Sequence, residues 1–182
     1  MAYKLDINDD NIFSTKKKEM KNETKVRSIR FYSGSSTYSE FSNFAIYPIH
    51  IDGITFPTVE HFYQWSKITN EKYKEMILQT PNPVEAKRIG GYKKARMRND
   101  WDKIKFDVMY RGVKAKFDQH PELMNLLLNT GDSKLVHVSP WDNYWGNGPK
   151  GDGYNMLGKI LMEIRDKERE KRQRWEKVWT QN

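Results

Sequence analysis

Hydrophobic residues in this chain fall in short runs near residues 29–56 and at helical spacing beyond residue 57. Ile29-Arg30-Phe31-Tyr32 reads as a short strand, broken by Gly34-Ser35-Ser36. Phe41-Ser42-Asn43-Phe44 reads as a tight turn with two aromatic anchors. Ile49-His50-Ile51 and Ile54-Thr55-Phe56 flank Asp52-Gly53, a dipeptide that tolerates the positive φ of a type I′ turn, so a hairpin is predicted there. Pro57 and Thr58 start a helix running to about Ile68, and a second covers 71–79. Asn82 as cap with Pro83 at the first helical position opens a third, stopped at Gly90-Gly91. Asn99 or Asp100 caps a longer helix. In it Ile104, Val108 and Ala115 share one stripe, with Met109, Val113 and Phe117 beside it. Pro121 opens a short helix through Leu126-Leu127-Leu128 that ends at Gly131, and Leu135-Val136-His137-Val138 is a strand candidate. After a Gly-rich loop, residues 139–154, the last helix starts at Asn155 and buries Leu157, Ile160, Leu161 and Ile164.

These elements predict an α+β fold, a predominantly helical compact single domain with a few short strands. Residues 1–28 are polar, carry Lys16-Lys17-Lys18 and show no apolar period, so a flexible leader is expected. The domain itself spans 29–165, and 166–182 form a charged helical extension. There Glu163–Lys167, Glu168–Arg172 and Glu170–Arg174 are favourable i, i+4 pairs, and Trp175 and Trp179 offer a docking or partner contact.

Composition narrows the function. At 182 residues, 37% hydrophobic and 31% charged, the chain has the length of one ordinary domain with a real core. With no Cys it has no disulfide, no thiolate zinc site and no cysteine nucleophile. No apolar run approaches a membrane span, and Met1-Ala2-Tyr3-Lys4-Leu5-Asp6 lacks a signal-peptide core, so a cytoplasmic protein without membrane contact is expected. The net charge of +8 favours anionic partners: nucleic acid, nucleotides or phosphorylated metabolites. Lys87 to Arg98 holds six basic residues and no acidic one, a self-repelling cluster that points to a nearby anion.

Several familiar chemistries find no support. Gly146-Asn147-Gly148-Pro149-Lys150-Gly151 matches GxGxxG, but Asp152-Gly153-Tyr154 delays the helix and no βαβ unit surrounds it. Gly-Lys-Ser/Thr, HExxH and Gly-x-Ser-x-Gly are absent, and His50, His61, His120 and His137 lack metal spacing, so no metal and no cofactor are expected. The Gly-rich loop could still offer backbone N–H groups to a phosphate or ribose at the helix start, with Trp145 stacking a base. Glu60, Gln64 and Lys67 follow at i, i+4 and i+7 and so share one helical stripe, while Phe62 and Trp65 point to the core. Glu60 with a second acid, Asp142, among aromatics and cations suits cleavage of an N-glycosidic bond, where a carboxylate stabilises an oxocarbenium-like sugar or activates water. A first-turn Glu that only caps its helix is the plainer reading of the same spacing.

The blocks Phe31-Tyr32-Ser33, Phe41-Ser42-Asn43-Phe44, Pro57-Thr58-x-Glu60-His61-x-x-Gln64-x-x-Lys67 and Ala86-Lys87 carry a wider pattern. It continues through Arg98-x-x-Trp101, Ala115-Lys116-Phe117 and Leu127-Leu128-x-Thr130-Gly131 to Asp142-x-Tyr144-Trp145-Gly146-x-Gly148-x-x-Gly151-x-Gly153-x-Asn155-x-Leu157-Gly158. From about Ile29 to Arg165 the chain resembles the NADAR, or YbiA-like, family. The resemblance implies a mostly helical α+β domain with N-glycosidase activity. It implies as substrate a phosphorylated ribosyl small molecule such as an early riboflavin intermediate, or an ADP-ribosyl group, including ADP-ribosylated guanine in DNA. Carried over, Glu60 is the catalytic acid with Asp142 beside it. Asn43, Lys67, Trp101, Trp145 and Asn155 are substrate-binding candidates, and Arg96 and Arg98 belong to a phosphate-facing segment. Trp65 departs from the family's usual small residue and is expected on the back of its helix. A non-catalytic module binding ADP-ribose, NAD-like ligands or nucleic acid is the alternative.

Overall fold

A computed structural model describes residues 27–180. The expected leader, including Lys16-Lys17-Lys18, lies almost wholly in residues 1–26, outside the described residues. Strand β1 (Ser28–Phe31) is followed by a 3₁₀ turn at Ser39–Phe41 and by the hairpin β2 (Ile49–Ile51) and β3 (Ile54–Phe56). Helices α1 (Val59–Lys67), α2 (Glu71–Gln79) and α3 (Pro83–Gly90) come next, then a 3₁₀ turn at Lys93–Ala95. Helix α4 (Trp101–Gln119), α5 (Pro121–Leu128), strand β4 (Lys134–His137) and α6 (Met156–Trp179) complete the chain. The fold is the mainly helical α+β domain that the pattern predicted. Among the described residues no helix is long and apolar enough to cross a membrane.

The local signals act as their chemistry requires. Asp52 and Gly53 both take positive φ, 51° and 79°, as the type I′ turn demands, and Ile49 pairs with Phe56 across the antiparallel hairpin. Thr58 caps α1 by accepting the His61 N–H, and its hydroxyl also meets His61 Nδ1 at 2.8 Å. Asn70 and Asn82 cap α2 and α3 in the same way, and Pro83 occupies the first turn of α3. Asp100 precedes α4 without capping it, because its carboxylate is held by the Arg98 guanidinium at 2.6 and 2.9 Å.

Two packing facts position the site. The buried stripe of α4 runs through Met109, Val113, Lys116 and Phe117, while Ile104, Val108 and Ala115 are only half-buried at its edge. The stripe lies there because α1 crosses α4 at Gly112. A Cβ on Gly112 would come within 2.8 Å of the Phe62 ring and 3.1 Å of Val59, so only glycine allows this approach. Strands β1 and β4 then pair in parallel, Phe31 opposite His137, bringing the two ends of the domain together. A smaller core of Ile68, Ile77, Ala86, Ile89 and Ala95 fixes α2 and α3 against the end of α1.

Candidate active site

Helix α1 presents Glu60, Tyr63, Gln64 and Lys67 along one face. The Glu60 side of that face forms the floor of a cavity of about 400 Å³. Its walls include Asn43 and Phe44 from the turn after β1, Lys87 from α3, His137 from β4, and Trp141, Asp142 and Trp145 from the Gly-rich loop.

Glu60 is 3% exposed, and both of its oxygens are held. Asn43 Nδ2 donates to Oε2 at 2.5 Å and Gln64 Nε2 donates to Oε1 at 2.8 Å. Lys67 Nζ donates to Gln64 Oε1 at 3.3 Å. An ammonium has only donors, so it fixes the Gln64 amide with its NH₂ toward the carboxylate. The stripe expected from spacing is therefore a hydrogen-bonded relay, with Lys67 behind Gln64 rather than in the cavity wall. Burial pushes the Glu60 carboxyl up from the ordinary carboxylate range to about 7. The Gln64 bond and the charges of Lys87 and Lys67 act against that rise, and Asp142 adds to it.

The turn that supplies Asn43 is itself anchored from below. Lys116 is 1% exposed, and its ammonium donates to the carbonyls of Glu40 and, at 2.9 Å, Ser42. Burial drives its pKa down to about 7. The Glu60 N–H in turn donates to the Asn43 carbonyl at 3.0 Å, so turn and helix are tied twice. The family pattern contained Lys116, but nothing in an amphipathic α4 signalled a buried ammonium bonded beneath the turn that carries Asn43.

The other expected site residues divide. Asp142 and Trp145 line the cavity; Asp142 Oδ1 accepts the N–H groups of Tyr144 and Trp145 at 2.9 and 2.7 Å, leaving Oδ2 without a partner among the described residues. Trp101 does not line it. Trp101 packs edge-on against Tyr63, ring centres 4.8 Å apart, and Tyr63 meets Trp145 at 5.7 Å. Asn155 is a staple of β4: its amide accepts from His137 N at 2.9 Å and donates to the Leu135 carbonyl at 2.8 Å.

Arg96 and Arg98 are not brought to the cavity. Their segment docks on the far end of α1, where Thr69 N donates to the Arg96 carbonyl and Arg98 N to the Lys67 carbonyl. Seven residues of helix put that end roughly 10 Å from Glu60. Arg98 borders a separate cavity of about 480 Å³ on the opposite side of α1, with Trp65, Phe62 and Arg111. Trp65 thus faces away from Glu60, packed on Phe56 with the Lys74 ammonium over its ring. Among the described residues the Lys or Arg that does line the Glu60 cavity is Lys87, which the sequence placed in a basic run and in the family's Ala86-Lys87 block but not among the expected site residues.

The Gly-rich loop also departs from expectation. Its N–H groups are not offered to a ligand at the start of α6. Asn147, Gly148, Gly153, Tyr154 and Asn155 donate to backbone carbonyls of the loop and of β4, and Met156 and Leu157 donate to Tyr144 and Trp145. The loop is a self-bonded scaffold that presents side chains. Among the described residues no three His, Asp or Glu side chains form a group that could hold a metal ion.

Fold and cavity together define a class of small α+β domain, with a desolvated carboxylate under an open cavity, aromatic walls and one lysine on its lining among the described residues. The chain belongs to the NADAR domain family, whose sequence profile matches residues 30–169. It is 46% identical over 138 residues to N-glycosidase YbiA of Escherichia coli, covering 76% of this chain and 86% of that protein. It is 40% identical over 152 residues to the riboflavin biosynthesis protein PYRR, chloroplastic, of Zea mays, covering 75% of this chain and 24% of that longer protein. The solution structure of Escherichia coli YbiA superposes with a TM-score of 0.73 at 44% identity, covering 80% of this chain and 87% of YbiA. With these relatives, the chain is an N-glycosyl hydrolase.

Proposed function

We propose that the chain hydrolyses the N-glycosidic bond between a phosphorylated ribose and a base-like amine, the bond found in phosphoribosyl intermediates of riboflavin biosynthesis. The observation that carries the reading is the Glu60 carboxylate, buried and doubly held at the floor of the cavity. Water attacks the anomeric carbon as the carbon–nitrogen bond breaks, and that bonding pair leaves with the amine. Glu60 faces the positive charge that grows on the sugar and takes a proton from the attacking water; that proton is then passed to the departing amine, which leaves neutral and returns Glu60 to the anion. Its oxygens need no reorganisation, since Asn43 and Gln64 already hold them. Asp142 adds a second negative group on the loop side, Trp145 offers a ring to the base, and Lys87 pairs with the phosphate.

A single phosphate is favoured over a diphosphate by the cation count. Lys87 is the cation that lines the cavity among the described residues, while Arg96 and Arg98 lie elsewhere. The name of the Zea mays relative supports the same substrate class. The test is release of ribose 5-phosphate from a phosphoribosyl aminopyrimidine, run beside release of ADP-ribose from ADP-ribosylated guanine. Glu60→Gln is expected to lower turnover by ~10²-fold or more with the fold intact. Equal rates for variant and wild type would falsify the assignment of Glu60. Tight binding of the substrate without turnover over hours would favour a binding module instead.

A further inference from the structure

Tyr63 was not among the expected site residues, yet its side chain lines the Glu60 cavity and is only 8% exposed. Its ring is held on two sides, against Trp101 and Trp145, so its hydroxyl has little freedom to move. Trp145 Nε1 lies 3.2 Å from that hydroxyl oxygen. An indole nitrogen can only donate, so in this bond the tyrosine oxygen is the acceptor. The phenolic proton is left without an acceptor among the described residues. A rigid, largely buried O–H facing a cavity is a recognition group for an oxygen on the ligand.

The position identifies that oxygen. Glu60 and Tyr63 are at i and i+3, neighbours on one helix face with Cβ atoms about 5–6 Å apart. If Glu60 faces the anomeric carbon, the groups within reach of the next side chain along are the ring hydroxyls, carried on the carbons one and two bonds away. We propose that the Tyr63 hydroxyl donates a hydrogen bond to a ring hydroxyl of the bound ribose, with Trp145 holding the phenol in that orientation. The site then selects ribose over deoxyribose sugars. This inference rests on the N-glycosidase reading of the cavity. Burial, against the opposing effect of the Trp145 bond, pushes the phenol well above its ordinary pKa, so the group acts as a fixed donor and not as the proton source for the leaving amine.

The experiment is calorimetric titration of wild-type and Tyr63→Phe protein with ribose 5-phosphate and with its 2-deoxy and 3-deoxy counterparts. Wild type is expected to prefer ribose 5-phosphate over one of the deoxy sugars by about five- to tenfold, the scale of one neutral hydrogen bond. Tyr63→Phe is expected to lose that preference to within twofold while still binding the deoxy sugar as wild type does. Full retention of the preference by the variant overturns the proposal, as does a wild type that does not distinguish the sugars or does not bind them. Turnover by wild type and its loss in Glu60→Gln tests the catalytic reading separately, so an active enzyme with no sugar preference sinks only the role of Tyr63.

Discussion

At the scale of single residues, the acid–base behaviour of Glu60 links activity to stability. Its folded pKa, about 7, lies above the ordinary 4.5, so between those values the folded state binds more protons than the unfolded. Stability from this group therefore falls as pH rises from about 4.5 to 7 and stays reduced above that. The proposed mechanism requires the Glu60 anion, so kcat/KM should rise with pH along an acid limb centred near 7. A pH–rate profile flat from pH 5 to 8 would contradict a carboxylate mechanism. The same bookkeeping makes Glu60→Gln more stable than wild type, by about 1–3 kcal/mol at pH 8 and by less at pH 5. Denaturant melts at the two pH values measure this, and a Gln variant weaker at pH 8 would contradict it. Spacing alone placed Glu60, Gln64 and Lys67 on one face. It could not show that Asn43, seventeen positions earlier, completes the carboxylate's shell, because that contact depends on where a turn docks.

At the scale of elements, the site depends on how closely α3 lies against α1. A Cβ on Gly90, at the end of α3, would come within 2.2 Å of Gln64 Oε1 and 2.9 Å of its Cβ and Cδ. Gly90→Ala must displace Gln64 from between Lys67 and Glu60. The expected outcome is a fall in stability of about 1–3 kcal/mol, the scale of overpacking. The acid limb should also move above 7, since the lost hydrogen bond favours the anion. Unchanged pH dependence in that variant would show that Gln64 does not tune the carboxylate. The sequence marked Gly90-Gly91 as a helix stop, and α3 does end at Gly90 with Gly91 as its cap, but the second role of Gly90 is visible only once α3 is packed. The basic segment after it was legible as a cluster of charge. Its docking on the far end of α1, with Arg98 consumed by Asp100, was not, since charge density along a chain does not say which way a segment turns.

At the scale of the whole molecule, the family match ends at residue 169, close to where α6 leaves the domain surface. Arg165 is the last deeply buried side chain, donating to the Thr130 hydroxyl and the Ser133 carbonyl. Trp175 and Trp179 are 59% and 77% exposed. Deleting residues 173–182 should leave turnover unchanged and shift Tm by no more than about 2 °C, as expected for exposed positions. A large loss of activity would assign the tail a part in the site, while a change in size by gel filtration alone would assign it to association. What the sequence by itself determined is what one or two helical turns decide: the Asp52-Gly53 turn, the Thr58, Asn70 and Asn82 caps, the face carrying Glu60, and the motif spacing of the family. Only the tertiary structure decided the parallel pairing of β1 with β4, the ammonium of Lys116 under the Asn43 turn, and the choice of Lys87 over Arg96 and Arg98 at the cavity. It also closed the Gly-rich loop on its own backbone. Local hydrogen bonds and side-chain spacing are properties of neighbouring residues, whereas burial, and the pKa it imposes on Glu60, arises only when distant segments exclude water together.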